Sequence, residues 1–161
     1  MTKHIPIYAH RGASGYAFEN TFEAFEKARK LKADGIELDV QLSEDGVCFV
    51  FHDISLQRLT GVRKLINECR EDEIKEYRIG RRFLRRWTGK RIPALEEVLN
   101  WAIEHNMPLN LELKESLLND VTPFIQLLKS YRLPEGSHVS SFHDQLLRIV
   151  KLYYPNMETA I

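Results

Sequence analysis

Cysteine is scarce in this chain of 161 residues: there are two, Cys48 and Cys69, without CxxC spacing, which excludes a multi-cysteine metal site. Cys48 lies in the apolar run VCFVF and is expected to be a buried free thiol. Long hydrophobic runs are also missing, since none approaches the roughly 18 apolar residues of a membrane span. The opening segment MTKHIPIYAH goes straight into a strand-like pattern without a signal peptide's apolar stretch. The expected setting is therefore cytoplasmic and reducing. Neither sign of charge is in excess: 23 Lys and Arg balance 23 Asp and Glu. A balanced charge gives no support to general nucleic-acid binding, so no nucleic-acid partner is expected. There are no internal repeats and no low-complexity tracts, and the length suits one globular domain.

What is present is an alternation of strand and helix. IPIYAH reads as a strand ending near His10, followed by the small-residue loop RGASGYAFE. NTFEAFEKARKL reads as a helix, with Asn20 as its N-cap, Glu23 three residues on, and Phe22, Phe25 and Ala28 at helical spacing. In GIELDVQL, Ile36, Leu38 and Val40 alternate with Glu37 and Asp39; EDG marks a turn and VCFVF a second strand. An irregular insertion is expected over about 54–91. IPALEEVLNWAIEHN is a helix, because Leu95, Val98, Leu99, Ala102 and Ile103 form one stripe. LNLELK is a strand with Leu109, Leu111 and Leu113 on one face and Glu112 on the other. A helix around Phe124, Leu127, Leu128 and Tyr131 follows, then the strand HVSSF, the helix DQLLRIVKLYY, and METAI as the start of one more strand. Such alternation predicts a parallel α/β architecture.

Ligands of such folds meet the carboxyl ends of the strands, and His10, His52 and Glu112 all fall near strand ends. Glu37 and Asp39 are two residues apart, so they project from one face. Two ionised carboxylates on a buried face repel each other and lose hydration unless a cation lies between them. A hard divalent ion, Mg²⁺ or Ca²⁺, takes such oxygen ligands, with Glu112 available as a third. A tight turn centred on Asp45 and Gly46 would place Asp39 opposite His52; a short parallel return would bring both to the same barrel end. The sequence leaves both geometries open.

The ordered set of motifs resembles the glycerophosphodiester phosphodiesterase family. The chain carries His10-Arg11-Gly12, Glu19-Asn20-Thr21, Glu37-Leu38-Asp39 and His52-Asp53, followed in family order by IPALEEVL, LNLELK and SSF. The resemblance covers nearly the whole chain and implies a TIM-type barrel that hydrolyses glycerophosphodiesters to glycerol 3-phosphate and an alcohol with a divalent metal. It implies Glu37, Asp39 and Glu112 as metal ligands, His10 and His52 as the acid/base pair, and Arg11 with Lys114 as phosphate-binding residues. A lysophospholipase D-like activity on lipid diesters and an inactive shortened relative are the alternatives.

Two departures accompany the resemblance. Phe18 stands where the family usually has proline. A TIM barrel also typically takes about 250 residues, so the expectation is a carboxy-terminally truncated barrel with five to six strands present. Open sheet edges are then expected to favour self-association. His4 is expected at an exposed terminus and His105 at a helix C-terminus, both outside catalysis, while His143 lies where it would face the barrel mouth. The run RIGRRFLRRWTGKR, residues 78–91, holds seven basic residues with Phe83, Leu84 and Trp87 interleaved. It reads as a solvated loop or as a contact with an anionic membrane surface through Arg81, Arg82, Arg85 and Arg86.

Overall fold

The computed structural model describes residues 5–81 and 83–161; His4 and Arg82 lie outside the described residues. In chain order the elements are β1 (Tyr8–His10), α1 (Phe22–Lys30), β2 (Gly35–Leu42), β3 (Cys48–Val50), α2 (Gln57–Thr60), α3 (Glu71–Glu76), β4 (Arg78–Ile79), α4 (Arg85–Thr88) and β5 (Lys90–Arg91). They continue with α5 (Leu95–Glu104), β6 (Leu109–Leu113), α6 (Thr122–Lys129), β7 (His138–Ser140), α7 (Asp144–Tyr153) and β8 (Glu158–Ala160).

Strands β1, β2, β6, β7 and β8 lie side by side in that order, and every pair among them is parallel. Helices connect the parallel strands, as a parallel sheet requires. This is a partial α/β barrel. Strand β2 is the longest and organises the rest. β6 runs along one edge, β1 takes the first half of the other from Tyr8↔Gly35 to His10↔Glu37, and β3 takes the second half antiparallel.

The β2–β3 turn settles the register that the sequence left open. Ser43 N donates to Val47 O at 2.9 Å, so the turn has three residues, Glu44 to Gly46. Gly46 has φ of 82°, the left-handed conformation that three-residue hairpins need at their last position. One extra turn residue moves the pairing by one. Val40 lies opposite Val50, and Phe51 N donates to Asp39 O at 3.0 Å. His52 therefore follows one residue beyond that bond.

Alternation along the strands separates two faces. Ile36, Leu38, Val40, Leu109, Leu111, Leu113 and Val139 are buried on the face covered by α1, α5, α6 and α7. Val98, Leu99 and Ala102 of α5 join this core, whereas Ile103, at the margin of the stripe, is 42% exposed. Glu37, Asp39 and Glu112 occupy the opposite face. A second, separate core gathers Phe49 and Phe51 with Leu56, Ile66, Cys69, Ile74, Ile79 and Ile92. Strand β3 serves both, since Cys48 and Val50 belong to the main core. No helix among the described residues is long and apolar enough to cross a membrane.

Candidate active site

The acidic centre follows from register. In the β2–β6 pair Asp39 lies opposite Glu112 and Glu37 opposite Asn110. Carboxylate oxygens of Glu37, Asp39 and Glu112 lie within 4.8 Å of one another. Glu37 and Asp39 are buried, at 7% and 1% exposure. Burial, and next the charge of Asp39, push the Glu37 carboxyl up to about 7. Its Oε2 accepts from Arg11 N at 2.9 Å, while its Oε1 is buried without a hydrogen-bond partner among the described residues. An unsatisfied buried carboxylate oxygen is costly. Three hard oxygen donors around such an atom fit a divalent cation.

The loop after β1 wraps around this centre. Gly12, at φ 76°, fits so closely under α1 that a Cβ would lie 2.8 Å from the Ala24 backbone. Arg11 and Asn20 both adopt positive φ, 55° and 56°, and Asn20 N donates to Arg11 O at 3.0 Å. Non-glycine residues rarely hold this conformation unless their surroundings fix it. Here the fixing partner is Asp39, which accepts from Asn20 Nδ2 at 2.8 Å. Asn20 is thus not the N-cap of α1. Thr21 is, accepting from Ala24 N, while Asn20 is buried at the site.

Arg11 donates Nη1–H to Glu19 Oε1 at 3.1 Å, and its Nε lies 3.2 Å from Asp39 Oδ2 as an ion pair rather than an aligned hydrogen bond. Lys114 Nζ donates to Glu112 Oε1 at 2.8 Å and lies 3.5 Å from Asp39 Oδ1. Burial works against its charged form, but the Glu112 hydrogen bond and the Asp39 charge prevail and raise its pKa.

The two histidines approach from different strands. His10 ends β1 with its Nε2 3.8 Å from Glu37 Oε2 and a side chain 67% exposed. His52 follows β3; its Nδ1 is 2.6 Å from Asp53 Oδ1, and its carbonyl accepts from Gln41 Nε2 at 3.0 Å. The structure therefore brings His10, Arg11, Glu37, Asp39, Glu112 and Lys114 together, with His52 two residues past the end of β3 and bonded to Asp53. His105 is the C-cap of α5, stacked on Trp101, and His143 precedes α7 as its N-cap.

Sequence reasoning missed two residues of the surroundings. Asn20 was visible inside Glu-Asn-Thr, but helix-start chemistry suggested another use for it. Arg58 bonds Glu19 across 39 positions of sequence, and no local pattern announces that contact.

Residues 10–130 match the glycerophosphoryl diester phosphodiesterase family. The chain belongs to that family. A glycerophosphodiester phosphodiesterase of Caldanaerobacter subterraneus is 35% identical over 158 residues, covering 96% of this chain and 65% of that protein. A lysophospholipase D of Homo sapiens is 34% identical over 168 residues, covering all of this chain and 51% of that protein. Among solved structures, a phosphodiesterase from Oleispira antarctica in complex with the product sn-glycerol-3-phosphate superposes with a TM-score of 0.85 at 32% identity. That match covers 96% of this chain and 64% of the other. The chain thus spans under two thirds of the length of these relatives.

Proposed function

We propose that the chain hydrolyses glycerophosphodiesters to glycerol 3-phosphate and an alcohol, with a divalent metal and with His10 and His52 as the acid/base pair. The observation that carries this reading is the meeting of His10 and Arg11 with three carboxylates around Oε1 of Glu37, with His52 tied to them through Asp53, Arg58, Glu19 and Arg11. The family membership and the product held by the Oleispira relative support the same substrate class.

Glu37, Asp39 and Glu112 would hold Mg²⁺ or Ca²⁺, which when bound supplies charge neutralisation at the phosphate. Arg11 keeps guanidinium donors beyond its Glu19 bond for phosphate oxygens, in the planar geometry that suits them. Lys114 adds a second positive charge from β6. Asp53 engages Nδ1 of His52, leaving Nε2 to take or give a proton; His10 is exposed and supplies the other half of the exchange. Imidazole can serve as base or acid. One ring takes the proton of the attacking hydroxyl, of water or of the substrate's own glycerol, as its oxygen bonds to phosphorus. The other protonates the alkoxide released when the P–O bond to the alcohol breaks. The setting proposed is the cytoplasm, where the two free buried thiols, Cys48 and Cys69, stay reduced.

The test is release of glycerol 3-phosphate from glycerophosphocholine by the 161-residue chain with Mg²⁺, with Ca²⁺ and with chelator. Turnover is expected only with metal, and His10→Ala or His52→Ala is expected to lower kcat about 10²- to 10⁴-fold. A folded, metal-replete chain without turnover on this substrate or a lipid diester would instead be a non-catalytic relative.

A second reading, lysophospholipase D-like action on lipid diesters, is favoured by the tip of the insertion. Phe83 and Trp87 are 84% and 76% exposed beside Arg81, Lys90 and Arg91, and Arg81 and Lys90 share a groove with Ser14 to Phe18 of the loop after His10. Aromatic side chains among cations suit an anionic lipid surface. Faster turnover of lysophosphatidylcholine than of glycerophosphocholine would select this reading.

A further inference from the structure

The acids and histidines leave one arginine next to the site without a role. Arg58, on α2, donates four hydrogen bonds to two carboxylates. Its Nε and Nη2 reach Asp53 Oδ2 and Oδ1 at 2.6 and 3.1 Å, and its Nη2 and Nη1 reach Glu19 Oε1 and Oε2 at 2.6 and 2.9 Å. Each of these carboxylates has a second partner in the site. Asp53 Oδ1 engages His52 Nδ1 at 2.6 Å, and Glu19 Oε1 accepts from Arg11 at 3.1 Å. The result is an unbroken chain from Asp39 through Arg11, Glu19, Arg58 and Asp53 to His52.

We propose that Arg58 is a positioning residue for His52: by gripping Asp53 and Glu19 together, it fixes the carboxylate that orients the imidazole and leaves Nε2 free for the substrate. The inference rests on the acid/base reading of His52 given above. Asp53 is a short side chain, 25% exposed, and without a second partner its carboxylate would be free to rotate toward water. A planar fork bound at both oxygens removes that freedom, which a point charge does not. The electrostatics agree. Burial raises the Asp53 pKa, but the hydrogen bonds from Arg58 and His52 outweigh it and hold Asp53 below its ordinary range. For Glu19 the Arg58 hydrogen bond is the largest influence and also lowers the pKa. Both carboxylates thus stay ionised as acceptors. Fixing an acid/base group in its reactive orientation is worth orders of magnitude in rate.

The test is side-chain ¹⁵N NMR of histidine in the full 161-residue chain, at alkaline pH where the rings are neutral, with His52→Ala assigning the resonance. Wild type is expected to show His52 as a single tautomer protonated at Nδ1. Arg58→Ala and Arg58→Lys are expected to show a mixture, lysine being unable to span both carboxylates; should the alanine variant not fold, the lysine variant decides. In turnover, Arg58→Ala should lower kcat about 10²-fold with KM within about twofold. Adding Arg58→Ala to Asp53→Asn should cost little more than Asp53→Asn alone. A His52 tautomer unchanged in both Arg58 variants would overturn the proposal. Because the NMR needs no activity, a chain that turns over no substrate would remove the catalytic reading and still leave Arg58 tested.

Discussion

At Glu37 burial and the neighbouring Asp39 act in the same direction, lifting the carboxyl from an ordinary 4.5 to about 7. The folded chain then keeps a proton that the unfolded chain releases, so the sign of the linkage follows. Without metal, the stability associated with Glu37 is fully present below pH 4.5 and is lost as pH rises to about 7. The amount is roughly 3 kcal/mol. Melting temperatures of the metal-free chain should fall across this window relative to those of Glu37→Gln, which has no proton to lose. Parallel curves for the two proteins would contradict this account. Divalent metal should reverse the trend, because it binds the ionised carboxylate and stabilises the fold more as pH rises.

At the scale of elements, the loop after β1 is the most constrained connection. Gly12→Ala would place a methyl 2.8 Å from the Ala24 backbone at a φ of 76°. A loss of about 2 kcal/mol or more is expected in denaturant unfolding, with weaker metal binding as Arg11 is displaced from Glu37. Normal metal affinity in a folded variant would show that this loop does not set the site. Much of this level was legible in the sequence. Period-two alternation placed the acids of β2 and β6 opposite their leucines, because a strand's faces need no partner to be read. The stripe of α5 was legible for the same reason. The hairpin register was not, since turns of two and three residues differ by one step of pairing. Nor was the role of Asn20, because cap chemistry and a buried bond to Asp39 call for the same short amide.

For the whole molecule, family motifs in order carried the fold, whereas contacts such as Arg58–Glu19 and Trp101–Glu26, 39 and 75 positions apart, lay beyond any local pattern. The two apolar cores meet along β3, and Phe18 and Ala94 also pack against the smaller one. Arg58 belongs to the segment folded on the smaller core, while Glu19 precedes α1 on the larger one. Separate cores behave as separate cooperative units, each opening with its own free energy. Amide protons within the smaller unit, such as those of Ile66 and Ile74, should exchange with solvent deuterium well before those of Leu38 and Leu111. Each such opening is expected to part Arg58 from Glu19 while the parallel strands stay paired. The time the site spends assembled is then governed by the weaker of its two foldons, and local breathing rather than global unfolding sets the fraction of molecules competent at any instant.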